Sequence, residues 1–248
     1  MSLFLLSPRP AVANEADNPY WMSFSDIMAG LLVIFIIVCA TLLLRLTQME
    51  DKVSKNIEEL KQSSKARSDI LNEVVRELEE QGINVEISDN ESVLRIPEQA
   101  FHFSTGSYII NPELRETAER IGKALYDSIT KEDRWEHLDT VFVEGHTDSR
   151  SARSYRMGNW ELSALRAVSL WKFWIEQTSC GAQLKELRNR QGLLLFSVSG
   201  YSATRRVAEV EDTEEAMRKN RRIDIRFTTR QPSIMELQKV SAPMHGGQ

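Results

Sequence analysis

Ile27–Leu44 reads IMAGLLVIFIIVCATLLL and holds no charged residue. At about 1.5 Å per residue, such a run crosses most of a ~30 Å hydrocarbon core. Tyr20 and Trp21 stand just before it, where an interfacial aromatic anchor belongs. A soluble core helix is the competing reading, but a helix that is apolar on every side has no face to give to water. The run therefore predicts one transmembrane helix over 21–44, with the rest of the chain arranged on either side of a membrane.

Upstream, residues 1–20 predict a short, poorly structured tail. Leu3–Leu6 followed by Ala11-Val12-Ala13 imitates a secretory signal, but its apolar stretch falls short of the roughly 7–15 residues required, and Pro8 and Pro10 interrupt it. Downstream, residues 45–82 predict a helical linker. Residues 45–81 lack Pro and Gly, and Leu46, Met49, Val53, Ile57 and Leu60 recur at steps of three and four. Leu71, Val74 and Leu78 resume the seam. That pattern fits either an imperfect coiled coil or a single solvated helix, with Gly82 as its C-terminal cap.

From residue 83 the texture becomes that of a compact α+β domain reaching to about 230. Val85–Ile87, Val93–Ile96, Thr140–Val143, Leu193–Val198 and Ile223–Phe227 read as strands. Asn111-Pro112-Glu113 reads as a helix start running to about Ser128, and Glu161–Glu176 as an amphipathic helix in which Trp171 and Trp174 face the core. This alternation favours a sheet with helices on one face. The polar stretch 231–248 predicts a disordered tail. A net charge of −5 and a pI near 5.6 exclude a basic nucleic-acid binder. Cys39 and Cys180 are far apart, one inside the apolar run, so neither a disulfide framework nor a zinc site is expected.

Asp26 immediately precedes the apolar run, within Ser23-Phe24-Ser25-Asp26. Two readings compete for it. The spacing matches a capping box, so Asp26 can be a helix-terminal acid. Alternatively it is an ion-carrying carboxylate on a face with Gly30, Val33, Ile37 and Thr41, where Ala29 and Ala40 allow other helices to approach. A lone span makes no ion path, so that second reading requires partner helices.

Four further elements occur in order: Phe101-His102-Phe103-Ser104-Thr105-Gly106, Val143-Glu144-Gly145-His146-Thr147-Asp148, Asn159-x-x-Leu162-Ser163-x-x-Arg166-Ala167, and Gly200-Tyr201 followed by Asn220-Arg221-Arg222-Ile223. Together, over roughly residues 85–230, they resemble the OmpA-like domains. With Trp21 and Asp26 at the head of a single span, the whole arrangement resembles the MotB family of stator subunits. The string Ser-Phe-Ser-Asp-Ile-Met-Ala-Gly-Leu-Leu-Val-Ile-Phe is closer still to ZorB, the MotB-like family of Zorya anti-phage systems. That resemblance implies a single-span protein with an OmpA-like periplasmic α/β-sandwich domain that grips peptidoglycan. It also implies a homodimer inside a ring of multi-span MotA-like ZorA subunits, with Asp26 carrying H⁺ or Na⁺.

Peptidoglycan offers the zwitterionic end of diaminopimelate, an ammonium beside a carboxylate. The resemblance assigns the ammonium to Asp148 and the carboxylate to Arg166, a division that charge-assisted hydrogen bonding makes chemically intelligible. Thr147 and Asn159 are expected to add hydrogen bonds, Leu162 and Phe103 to pack the methylenes, and Arg222 to approach the site. Between Asp148 and Asn159 the chain departs from the family: it has about three extra residues, carries Arg150, Arg153 and Arg156, and lacks the usual Gly. Ser104 stands where many relatives have an acid. His146 reads as a satisfied loop histidine. With no nucleophile–base pair and no metal cluster in view, the chain is not expected to be an enzyme or to hold a cofactor.

Orientation pits two rules against each other. Arg9 alone precedes the span, whereas Arg45, Lys52, Lys55 and Lys61 follow it, which by loop charge places the C-terminal side in the cytoplasm. A peptidoglycan ligand lies outside the inner membrane, and its compartment is the harder constraint. The expected topology is therefore a cytoplasmic N-terminus and a periplasmic domain.

Overall fold

Helix α1 runs unbroken from Pro19 to Glu80 in the computed structural model, which describes residues 19–230. The tails expected over 1–20 and 231–248 lie outside the described residues, except that Pro19 and Tyr20 already belong to α1. Among the described residues, α1 is the one helix long and apolar enough to cross a membrane. Its side chains from Trp21 to Leu44 are exposed, apart from half-buried Cys39.

The chain divides into two compact units, and the division falls inside α1, between Lys55 and Asn56. This moves the boundary expected at residue 83. The reason is physical: Ile70, Leu71, Val74 and Leu78 belong to the core of the globular unit. Leu71, Val74 and Leu78 therefore do not continue a coiled-coil seam, although Leu46, Met49, Val53, Ile57 and Leu60 are exposed. The helix stops in a Schellman motif. Gly82 adopts φ 77°, its N–H donates to Glu79 O, and the Ile83 N–H donates to Leu78 O. Leu78 and Ile83 are both buried beside that cap.

Among its described residues the globular unit carries five strands: β1 (Glu86–Ser88), β2 (Val93–Pro97), β3 (Leu138–His146), β4 (Phe196–Gly200) and β5 (Arg222–Thr229). They form one sheet in the order β1-β2-β5-β3-β4, parallel only between β3 and β4. Helices α2 (Arg115–Thr130) and α3 (Asn159–Gln177), with the C-terminal third of α1, contribute to its core, while α4 (Gly181–Glu186) and α5 (Glu214–Asn220) are short. Asn111 is not a side-chain cap. A 3-10 turn, Pro112–Leu114, precedes α2, and Asn111 Oδ1 accepts from Ser104 Oγ instead. Trp174 is fully buried, its Nε1 donating to Ala118 O, and Trp171 stacks on Phe196.

Strand alternation gives the sheet two unlike faces. Leu94, Ile96, Val141, Val143, Ile223, Ile225 and Phe227 are buried in the core. On the opposite parity, Arg95 pairs with Asp224, and Arg226 with Glu144. Gly145 of β3 and Gly200 of β4 are register partners, and the α3 backbone lies directly on them. A Cβ at Gly145 would fall on Ser163 O, and one at Gly200 on Ala164 N. Backbone atoms cannot step aside, so Gly145→Ala should cost about 1–3 kcal/mol or more by overpacking. Urea unfolding followed by tryptophan fluorescence checks this; an unchanged midpoint would mean that α3 slides freely over the sheet.

Candidate functional site

Asp148 leaves the end of β3, and α3 begins at Asn159 on the glycine platform, so the strand end and the first turns of the helix face one another. Between them opens a cleft of about 470 Å³, lined by Phe103, Thr147, Asp148, Asn159, Leu162 and Arg166 among others. Six of the seven expected wall-binding residues thus meet at one place. Arg222 does not line this cleft. It faces the other side of the sheet, donating to Asp224 and to the carbonyls of Asn220 and Arg205.

Arg221 lines the cleft instead. It donates to both oxygens of Glu98 and reaches Asp148 Oδ2 and Glu214 Oε1 at 2.6 Å each. Arg150 adds a backbone N–H to Asp148 Oδ1 and its Nε and Nη2 to Oδ2. Burial works to raise the Asp148 pKa, but the hydrogen bonds from Arg150 and Arg221 outweigh it and hold the carboxyl below its ordinary value.

Arg166 is in the opposite condition. It is 6% exposed, and among the described residues it has no carboxylate within ion-pair distance. Its Nε donates to Ser107 O and its Nη2 to Ser104 O, while its Cζ sits 5.3 Å from the Phe103 ring centroid. Burial lowers its pKa, though a guanidinium remains charged. A buried cation held by carbonyls and an aromatic ring is a site for an anion. Nearby, Thr147 Oγ1 is buried with no hydrogen-bond partner.

Asn159 serves the loop rather than the open cleft. Its Oδ1 accepts from Ala152 N–H and its Nδ2 donates to the carbonyls of Asp148 and Arg150, which commits the amide to closing the segment 149–158. Tyr155 Oη donates to Gly106 O on the opposite rim.

His146 is not a loop residue and is not satisfied. It ends β3, is 2% exposed, stacks on Tyr201, and neither ring nitrogen has a hydrogen bond. The absence of a metal cluster expected from sequence also needs correction, because Glu144, His146 and Asp224 bring ligand atoms within 4.8 Å of one another. Cross-strand pairing of Glu144 with Asp224 assembles them from distant sequence. Yet Arg95 and Arg222 already bind Asp224, and Arg226 and Arg205 lie at Glu144. A dication would add buried charge to an arginine-rich cluster, so these residues do not fit a metal.

Residues 102–221 match the profile of the OmpA family. This segment is OmpA-like. The Zorya protein ZorB of Escherichia coli O139:H28 is 23% identical over 149 residues, 58% of this chain and 57% of that protein. YtxE of Bacillus subtilis is 23% identical over 237 residues, 86% of this chain and 89% of that one. The periplasmic domain of Helicobacter pylori MotB is similar at 23% identity and a TM-score of 0.45, covering 63% of this chain and 88% of that structure. The match to the OmpA family and the likeness to ZorB bear out the resemblance read from the sequence.

The buried histidine should make the globular unit acid-sensitive. Burial depresses the His146 pKa from 6.5 to about 3, so between those values the unfolded chain binds a proton that the native one refuses. Stability should therefore fall as pH drops below about 6.5, by up to ~1.4 kcal/mol per pH unit. Urea midpoints from pH 6.5 to 5 should show a steeper loss in the wild type than in His146→Gln; equal slopes would mean that His146 charges freely in the fold.

Proposed function

We propose that this chain is a wall-anchored, stator-type subunit of an ion-driven inner-membrane motor acting in anti-phage defence. The observation that carries the wall-binding half is Arg166, a buried guanidinium at the cleft with no carboxylate of its own, close to Asp148. Diaminopimelate would set its carboxylate on Arg166 and its ammonium at Asp148. Thr147 Oγ1 would supply a hydrogen bond, and Leu162 and Phe103 would pack the methylenes. Asn159 would act by holding the loop that carries Asp148. The role is binding, without catalysis or a resident cofactor.

Support for the motor half comes from Asp26. Helix α1 starts at Pro19, so Ser23 and Asp26 lie inside the helix and cannot form its N-terminal capping box. A carboxylate in that position needs a partner or a water path. In this reading two copies of the chain pair within a ring of MotA-like ZorA subunits, and Asp26 carries H⁺ or Na⁺ between them. The N-terminus is cytoplasmic and the OmpA-like domain periplasmic.

Truncating one partner of a buried charge pair costs on the order of 2–5 kcal/mol. Arg166→Ala should therefore lower retention of the solubilised protein on purified sacculi by about 30-fold or more; full retention would remove the assigned site. Asp26→Asn keeps the shape but cannot titrate. In the native operon, with blotting to confirm membrane insertion, it should abolish protection against phage. Full protection would leave the chain a passive tether.

A further inference from the structure

The charges lining the cleft do not balance. Arg150, Arg153, Arg166 and Arg221 face Glu98, Asp148 and Glu214, four guanidiniums to three carboxylates. All three carboxylates are already engaged by Arg150 or Arg221. Arg166 and Arg153 are left without an anion among the described residues. The first belongs to the site proposed above; the second has no role there.

Arg153 is exposed, but its backbone is held. The turn is closed by Tyr155 N–H on Ala152 O, and the Arg153 N–H donates to Ser151 O. The Asn159 amide anchors one side of this turn through Ala152 N–H, and the Tyr155 hydroxyl anchors the other through Gly106 O. A guanidinium carried on a turn fastened at both ends, at the mouth of a cleft, gives up less freedom on binding than one on a loose loop. The cleft volume also exceeds what a single amino acid fills, falling in the range of drug-sized ligands.

We propose that Arg153 is a specificity residue that binds a second carboxylate of the ligand, one residue away from the zwitterionic end held by Asp148 and Arg166. This rests on the wall-binding reading. In a peptidoglycan stem peptide, the group in that position is the free α-carboxylate of the γ-linked glutamate. Where that carboxylate is amidated, Arg153 loses its partner. The cleft thus distinguishes acid from amide forms of the same stem.

The test uses the full chain in detergent and two synthetic tripeptides, L-alanyl-γ-D-glutamyl-meso-diaminopimelate and its glutamyl α-amide, titrated calorimetrically at low salt. The wild type should bind the acid about 5- to 10-fold tighter than the amide, the size expected of an exposed charge-assisted contact. Arg153→Ala should bring the two to within about twofold by weakening the acid alone, and Arg153→Lys should restore part of the gap. A wild type that binds both equally, or an acid-to-amide ratio unchanged in Arg153→Ala, overturns this inference and leaves the wall-binding reading standing. If the wild type binds neither peptide, the wall-binding reading fails and Arg153 fails with it.

Discussion

The site depends on one close approach: the backbone of α3 resting on Gly145 and Gly200 with no side chain between them. A Cβ at either glycine would lift the helix. Because Ser163 and Ala164 touch the sheet, Leu162 and Arg166 are carried to the strand end where Asp148 emerges. The Ser163 hydroxyl, itself 0% exposed, accepts from Ser202 N–H and donates to Trp160 O, tying the loop after β4 to the same point. Trp174 locks the far end of α3 by inserting beside Gly122 of α2. The cleft is therefore a product of the layer spacing.

Much of this was legible in the sequence, for reasons that differ from element to element. The apolar run needed only length and the absence of charge. The strands followed from short apolar runs, except that β4 begins at Phe196 and not at Leu193, whose side chain is exposed, and the ends of α3 fell within a residue or two. Other features were missed or left open. Leu71, Val74 and Leu78 repeat at a spacing that serves a coiled coil and a domain core equally well, and only the tertiary packing separates the two. Ser23-Phe24-Ser25-Asp26 has the letters of a capping box, but Pro19 starts the helix earlier, and local pattern does not say which of two starts wins.

The adjacent pair Arg221 and Arg222 was decidable in principle. Ile223, Ile225 and Phe227 fix the helix-facing parity of β5, so Arg221 shares their side and Arg222 takes the other. Strand alternation alone sends Arg221 to the cleft and Arg222 to the charged face. Glu98 carried no comparable signal, since it reaches Arg221 from 123 residues away, whereas Glu214 reaches it across the single short helix α5, seven residues upstream. The Glu144, His146 and Asp224 cluster was equally invisible, because it exists only through cross-strand register.

Asp148 is already neutralised by Arg150 and Arg221 before any ligand arrives. For a zwitterionic ligand of the kind proposed, binding is then an exchange of cations and not the filling of an empty anion. A lone amine brings Asp148 nothing that the two guanidiniums do not supply, and so gains no foothold. Only a molecule that delivers a carboxylate to Arg166 in the same step tips the exchange in its favour. In that reading the cleft selects against any amine that arrives without a carboxylate beside it.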